Sequence, residues 1–312
     1  MKKVIIMLLT CFVLFGCQNA TQNKDDKNAV VTVTDSIGNK VTVAKGAKQV
    51  VVLGSSWVDL YKLAGGMPVA TTSDANRFDY INGNKDVEIV GDVKQPNLEK
   101  IVALQPDLVI LGDDLAGHKA LTTSLEEASI PVFVTKVETF DDYLNVLKSL
   151  TMITGDTDAY QEKGVAVKQD IDNLLAQIPV SDKEKQTALF MRGFSTNVKA
   201  IAKDHTVTDI LDEIGIENIA QKDGFPLDTI SMEAILKEDP DYIFFTTMGD
   251  EAKAKANIKK SLEDDPAWST LTAVKEGHVY YLEKDLYHYK PNSRWAEAYE
   301  HILQIVYPDV FQ

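Results

Sequence analysis

The run Leu98-Glu99-Lys100-Ile101-Val102-Ala103-Leu104-Gln105-Pro106-Asp107-Leu108-Val109-Ile110 has a counterpart 134 residues later. Without a gap it aligns to Met232-Glu233-Ala234-Ile235-Leu236-Lys237-Glu238-Asp239-Pro240-Asp241-Tyr242-Ile243-Phe244. Each copy places a glutamate in a first helical turn, where the positive end of the helix favours it. A proline then stops the helix and turns the chain extended. The apolar residues beyond Pro-Asp read as a buried strand. One copy would mean only helix, turn and strand. Two copies, with a helical stretch between them, imply two similar lobes.

The flanking sequence agrees. Val30 to Val43 alternates Val and Thr around Ser36-Ile37-Gly38-Asn39, as a hairpin does. Apolar runs at 50–53, 69–72, 87–90, 108–111 and 132–134 read as strands, with helices at 57–64, 98–104 and 120–128. After Pro179 the same rhythm returns: strands at 188–191, 242–245 and 279–282, helices at 207–214, 232–237 and 293–306. Strands alternating with helices imply parallel sheets covered on both faces. From Phe140 to Ile178 there is no proline, and apolar residues recur at three- and four-residue steps. The expectation is an α/β chain of two lobes, each a mainly parallel sheet flanked by helices, linked by one long helix. Its bounds are 1–17 leader, 18–29 tether, 30–138 first lobe, 139–179 inter-lobe helix and 180–312 second lobe. Gly155 and Gly164 are the points where that helix would bend or divide; the alternative is two helices meeting at Gly155-Asp156.

Charge and cysteine content narrow the function. The chain has 312 residues and a formal net charge of −15, nearer −17 without residues 1–17. Nucleic acid requires a basic footprint, so it is excluded as a partner, and contact of the folded body with anionic lipid is disfavoured. Both cysteines, Cys11 and Cys17, lie in the N-terminal segment, so the body holds no disulfide and no thiolate metal site. Lys2 and Lys3 followed by an apolar run of about a dozen residues suit a signal peptide and are too short for a membrane span. The run ends in Leu14-Phe15-Gly16-Cys17, which resembles a bacterial lipobox. That resemblance implies cleavage before Cys17 and a lipid on its thiol; the alternative is an ordinary secretory leader with an incidental cysteine. The expected location is the outer face of the cell membrane, reached only through the lipid anchor. Gln18 to Asn28 is polar and reads as a flexible tether.

Ligands of open α/β sheets bind beyond the carboxyl ends of the strands, and two lobes would face each other there across a cleft. The loops concerned are 54–57, 73–80, 112–117, 192–197, 246–250 and 283–295. The chain has 29 lysines but three arginines, Arg77, Arg192 and Arg294, and each falls in one of these loops. Arginine grips carboxylate or phosphate with two hydrogen bonds, so an anionic ligand is expected. Trp57, Phe78, Tyr80, Phe194, Phe225, Tyr287, Tyr289 and Trp295 fall in or near the same loops and would give flat walls; core packing is the alternative for each. The run Tyr287-His288-Tyr289-Lys290-Pro291-Asn292-Ser293-Arg294-Trp295 is the densest polar-aromatic segment, with Asn292 or Ser293 as cap of the last helix. The ligand set expected is Trp57, Arg77, Tyr80, Arg192, Phe194, Tyr287, His288, Tyr289, Arg294 and Trp295. Tyr287, His288 and Tyr289 are the candidates to hold a haem iron. The five histidines are scattered, so no bare metal site is expected.

With these segments, and Trp268-Ser269-Thr270-Leu271-Thr272-Ala273-Val274-Lys275-Glu276-Gly277-His278-Val279-Tyr280, the chain resembles a family of ABC-transporter solute-binding lipoproteins. Their two α/β lobes are joined by a single rigid helix, and they serve importers of ferric siderophores, haem and cobalamin. The resemblance covers about residues 30 to 312. It implies a monomer without a resident cofactor that captures an iron complex, siderophore or haem, and delivers it to an ABC permease dimer. It also implies that Glu99 and Glu233, one per lobe, meet the permease. A cobalamin carrier is the alternative within the family, and a lipoprotein enzyme the alternative outside it. The sequence shows no nucleophile elbow, HExxH, P-loop or dinucleotide fingerprint.

Overall fold

A computed structural model describes residues 29–179 and 186–311. The leader, Cys17 and residues 18–28 of the tether lie outside the described residues. The Val/Thr alternation forms the hairpin Val30–Thr34 and Lys40–Ala44. The first lobe is a five-stranded sheet in the order Glu88–Ile89, Ala70–Thr71, Val50–Val52, Leu108–Gly112, Val132–Thr135, and every pairing in it is parallel. The second lobe has its own sheet in the order Val198–Ala200, Thr187–Phe194, Tyr242–Met248, Val279–Tyr281, with Glu217–Asn218 beside the start of Thr187–Phe194. Only Val198–Ala200 runs antiparallel there.

The repeated segments fold alike. Asn97 and Ser231 cap the helices Leu98–Ala103 and Met232–Glu238, accepting from the backbone N–H of Lys100 and Ala234. Before each proline one residue takes a left-handed backbone, Gln105 with φ 47° and Asp239 with φ 40°. The aspartate after each proline then fastens the adjoining strand. Asp107 Oδ2 accepts from the Lys48 and Gln49 N–H groups at 3.1 and 3.0 Å. Asp241 Oδ2 accepts from the Thr187 N–H and Oγ1 at 2.8 and 3.0 Å. The Pro-Asp pair is therefore a strand-registering device as well as a helix stop.

The stretch 139–179 is not one uninterrupted helix. Phe140–Thr154 opens with a capping box between Thr139 and Asp142 and ends at Gly155, whose φ of 85° closes it in the left-handed manner. Asp156 caps a second helix, Thr157–Leu175, which passes through a π-helical turn at Gln161–Val165. The Tyr143 hydroxyl donates to the Lys163 carbonyl at 2.7 Å inside that turn, where a carbonyl is released from the ordinary ladder. Gly164 lets the two helices touch, since a Cβ there would lie 3.1 Å from Leu144 Cδ2. The connecting strut is thus Thr157–Leu175, about 28 Å long at 1.5 Å per residue, and Phe140–Thr154 leads into it.

Strand alternation divides the core. Val51, Val109, Leu189 and Phe245 pack on the outer faces of their sheets, in a separate cluster for each lobe. Val50, Ile110, Phe190 and Phe244 join one continuous cluster with Phe140, Tyr143, Leu147 and the last helix, Trp295–Val306. The lobes therefore share an apolar core on their inner faces, and the last helix lies against the strut.

Candidate functional site

Between the lobes the strand ends bring loops from both sheets together. Trp57 is buried beside Gly54 and Gly112: a Cβ on Gly112 would meet the indole Nε1 at 2.6 Å. Gly112 therefore has to be small for the indole to cross the ends of the two central strands. Phe78 and Tyr80 stack with centroids 5.1 Å apart, and Tyr80 is half-buried with its hydroxyl out of water and without a partner among the described residues.

The segment after Val279–Tyr281 crosses from the second lobe onto the first. It includes two non-glycine residues in the left-handed region, Lys290 (φ 72°) and Asn292 (φ 51°), on either side of Pro291. Such backbone persists only where surrounding contacts enforce it, and here those contacts come from the other lobe. Ser56 Oγ donates to the Tyr289 carbonyl. The Asn292 amide donates to Asp59 Oδ2 at 2.7 Å and to the Ser56 carbonyl at 3.2 Å. Lys290 pairs with Glu138 at 3.2 Å. Asn292 is thus no cap of the last helix; its side chain ties the lobes together.

The three arginines differ. Arg77 pairs with Asp285 from the opposite lobe, and its guanidinium carbon lies 3.9 Å from the Tyr289 ring centroid. Arg192, at the carboxyl end of Thr187–Phe194, is half-buried, and its Nε has no partner among the described residues. Burial pulls its pKa below the usual guanidinium range, while Glu138 and Asp114 across the cleft pull it up. Arg294 does not join them: it is exposed and pairs with Glu297 of its own helix, because three residues of helix bring the two side chains together.

The aromatics divide in the same way. Phe194 and Tyr289 are half-buried at the cleft. Tyr287 is buried, its hydroxyl donating to the Ala298 carbonyl at 2.9 Å and lying 3.0 Å from His301 Nδ1. Trp295 is fully buried, edge-on to Phe140 at 5.8 Å. Both belong to the core and not to the cleft wall. The signal was present for Trp295: it opens a stripe continued by Ala298, Tyr299, Ile302, Leu303 and Val306. His288 is half-buried against Tyr289, and its Nδ1 lacks a partner among the described residues. Its pKa is pushed down to about 3, first by burial and then by Arg192, Lys284, Lys290 and Arg77. Four cations thus act on this ring, two of them, Arg77 and Lys290, paired with carboxylates. No local pattern in the sequence pointed to Asp285, Glu138, Ser56 or Asp59, whose partners lie at least 152 residues away.

Two cavities open between the lobes. One, of about 730 Å³, includes Asp74, Arg77, Tyr281, Lys284, Asp285 and Tyr289. The other, of about 370 Å³, includes Lys136, Glu138, Asp142, His205 and Asp209. Burial, and after it Glu213, pushes the Asp209 carboxyl up to about 7. Among the described residues no three His, Cys, Asp or Glu side chains form a metal-holding group. Glu99 and Glu233 are both exposed, at equivalent positions of the repeated helices.

Two largely parallel sheets, a shared inner core and a charged cleft at the strand ends define a two-lobed solute-binding architecture. The model of the family described as periplasmic binding protein matches residues 50–286, and the chain belongs to that family. The uncharacterized ABC transporter substrate-binding lipoprotein YvrC of Bacillus subtilis is 30% identical over 98% of this chain and 96% of its own length. The Fe(3+)-citrate-binding protein YfmC of the same organism is 28% identical over 90% of this chain and 88% of its own. Among solved structures, the petrobactin-binding protein YclQ from Bacillus subtilis matches with a TM-score of 0.69 and 20% identity, covering 91% of this chain and 100% of that one.

Proposed function

We propose that this protein is the capture subunit of an ABC importer, anchored outside the cell through a lipid on Cys17, and that it binds an anionic iron complex between its lobes. The observation that carries the ligand class is Arg192, a half-buried guanidinium whose Nε has no partner among the described residues. A cation drawn out of water calls for an acceptor, and a carboxylate or comparable anionic oxygen answers it with two hydrogen bonds. Phe194, two residues along the same strand, and Tyr289 are proposed to supply flat surface to the ligand. The name of YfmC, an Fe(3+)-citrate-binding protein, supports an iron complex as the cargo. Haem would draw on His288 or Tyr289 for its iron, since the Tyr287 hydroxyl is engaged in the core. The shared inner core implies small lobe movements on binding. Glu99 and Glu233 are proposed to meet the two halves of the permease.

Calorimetric titration of the full chain with ferric citrate, a ferric catecholate, haem and cobalamin tests the cargo. Binding of a ferric chelate that weakens in R192Q is the expected result; binding of cobalamin alone would overturn the iron assignment. In membranes carrying the permease, the pair E99K and E233K is expected to abolish uptake with ligand affinity unchanged. Undiminished uptake would remove the docking role.

A further inference from the structure

In the 730 Å³ cavity most charged groups already have partners. Asp74 accepts from the Ser55 N–H at 2.7 Å and the Thr72 hydroxyl at 2.6 Å. Glu251 pairs with Lys255 at 2.6 Å, and Lys284 donates to the Gly249 carbonyl at 2.9 Å. Arg77 is held differently. Its guanidinium lies 5.2 and 3.9 Å from the ring centroids of Phe78 and Tyr289, and its carboxylate partner, Asp285, comes from the other lobe. An arginine set against aromatic faces with a carboxylate in front of it is an occupied anion receptor.

We propose that Asp285 holds ligand affinity down: its carboxylate is an internal competitor for Arg77 that an anionic ligand must displace. This rests on the solute-binding reading above. An anion reaching Arg77 alone exchanges one carboxylate for another and gains nothing. The Asp285 side chain is already 53% exposed, so its release into water is easy. Half-exposed ion pairs are weak, which makes the exchange reversible, as a carrier that must release its cargo requires.

The test uses D285N, R77Q and the double variant in the full chain, titrated calorimetrically with ferric citrate. D285N is expected to bind about fivefold tighter, the most that an exposed pair contributes. R77Q in the D285N background is expected to cancel the gain. Unchanged or weaker binding by D285N overturns the proposal. Hydrogen exchange of the ligand-free protein gives a second readout. D285N and R77Q are each expected to speed exchange of the 284–289 amides to the same degree, and the double variant no further; no acceleration also overturns it. If wild type fails to bind ferric citrate, the cargo class is at fault, and the exchange measurement alone decides whether the latch exists.

Discussion

The two lobes repeat one scaffold and differ at its mouth. Each builds a helix, a left-handed residue, Pro-Asp and a central strand, and each uses the aspartate to hold the next strand in register. At the cleft, Arg77 of the first lobe is engaged by Asp285, whereas Arg192 of the second has an open Nε. The lesson is that a duplicated frame fixes where the loops meet and leaves their charge states free to diverge. On the ligand reading proposed above, one lobe offers a receptor already filled and the other a receptor to fill.

The contrast can be broken most directly by affinity. R192Q is expected to weaken ferric citrate binding about 10- to 100-fold, the range of a charge-assisted hydrogen bond, and R77Q far less. Equal losses in calorimetry would erase the distinction between the two arginines. The shared scaffold is tested by stability. D107A and D241A should each cost about 1–2 kcal/mol in urea unfolding, with D241A at the upper end because Asp241 is half-buried and Asp107 exposed. A cost in only one lobe would mean that the repeat is not mechanical.

The positive cluster is tested by pH. Folded His288 stays neutral down to about pH 3, whereas the unfolded chain binds a proton near pH 6.5. Below pH 6.5 the unfolded state therefore holds more protons, and stability is lost as pH falls through this window. Between pH 7.5 and 5.5 this contributes about 1 kcal/mol. H288Q should lose that much less than wild type in paired urea titrations. His205 is pulled down first by burial and only lastly by His288, and Asp209 is pushed up by burial and then Glu213, so their contributions largely cancel in the difference. An identical slope in H288Q would show that the ring is not held neutral.

Much of the frame was legible because buried strands and capped helices leave local marks. Val50–Val52, Leu108–Gly112 and Tyr242–Met248 are apolar runs, and the repeated Pro-Asp fixes where two of them begin. The helix Glu251–Ile258 was not legible. It alternates Lys and Ala and buries only Ala254 and Ile258, so no stripe announces it. The division at Gly155 was visible as an alternative, and the left-handed turn decided it. The cleft was harder to read. Arg77 and Asp285 are 208 residues apart, and their pairing exists only once both lobes are built. The 287–295 run looked uniform, yet Tyr287 and Trp295 turn inward and Arg294 outward, because direction is set by the helix that follows.

Trp295 fits between Phe140 and Tyr299, 5.8 and 6.4 Å from their rings. On the export route proposed above, residue 140 emerges long before residue 295, so the inner apolar face waits, greasy and bare, for late-arriving sequence to cover it. A nascent chain halted before Tyr289 would hold a finished sheet, an unfinished floor and a patch attractive to chaperones or to its own copies.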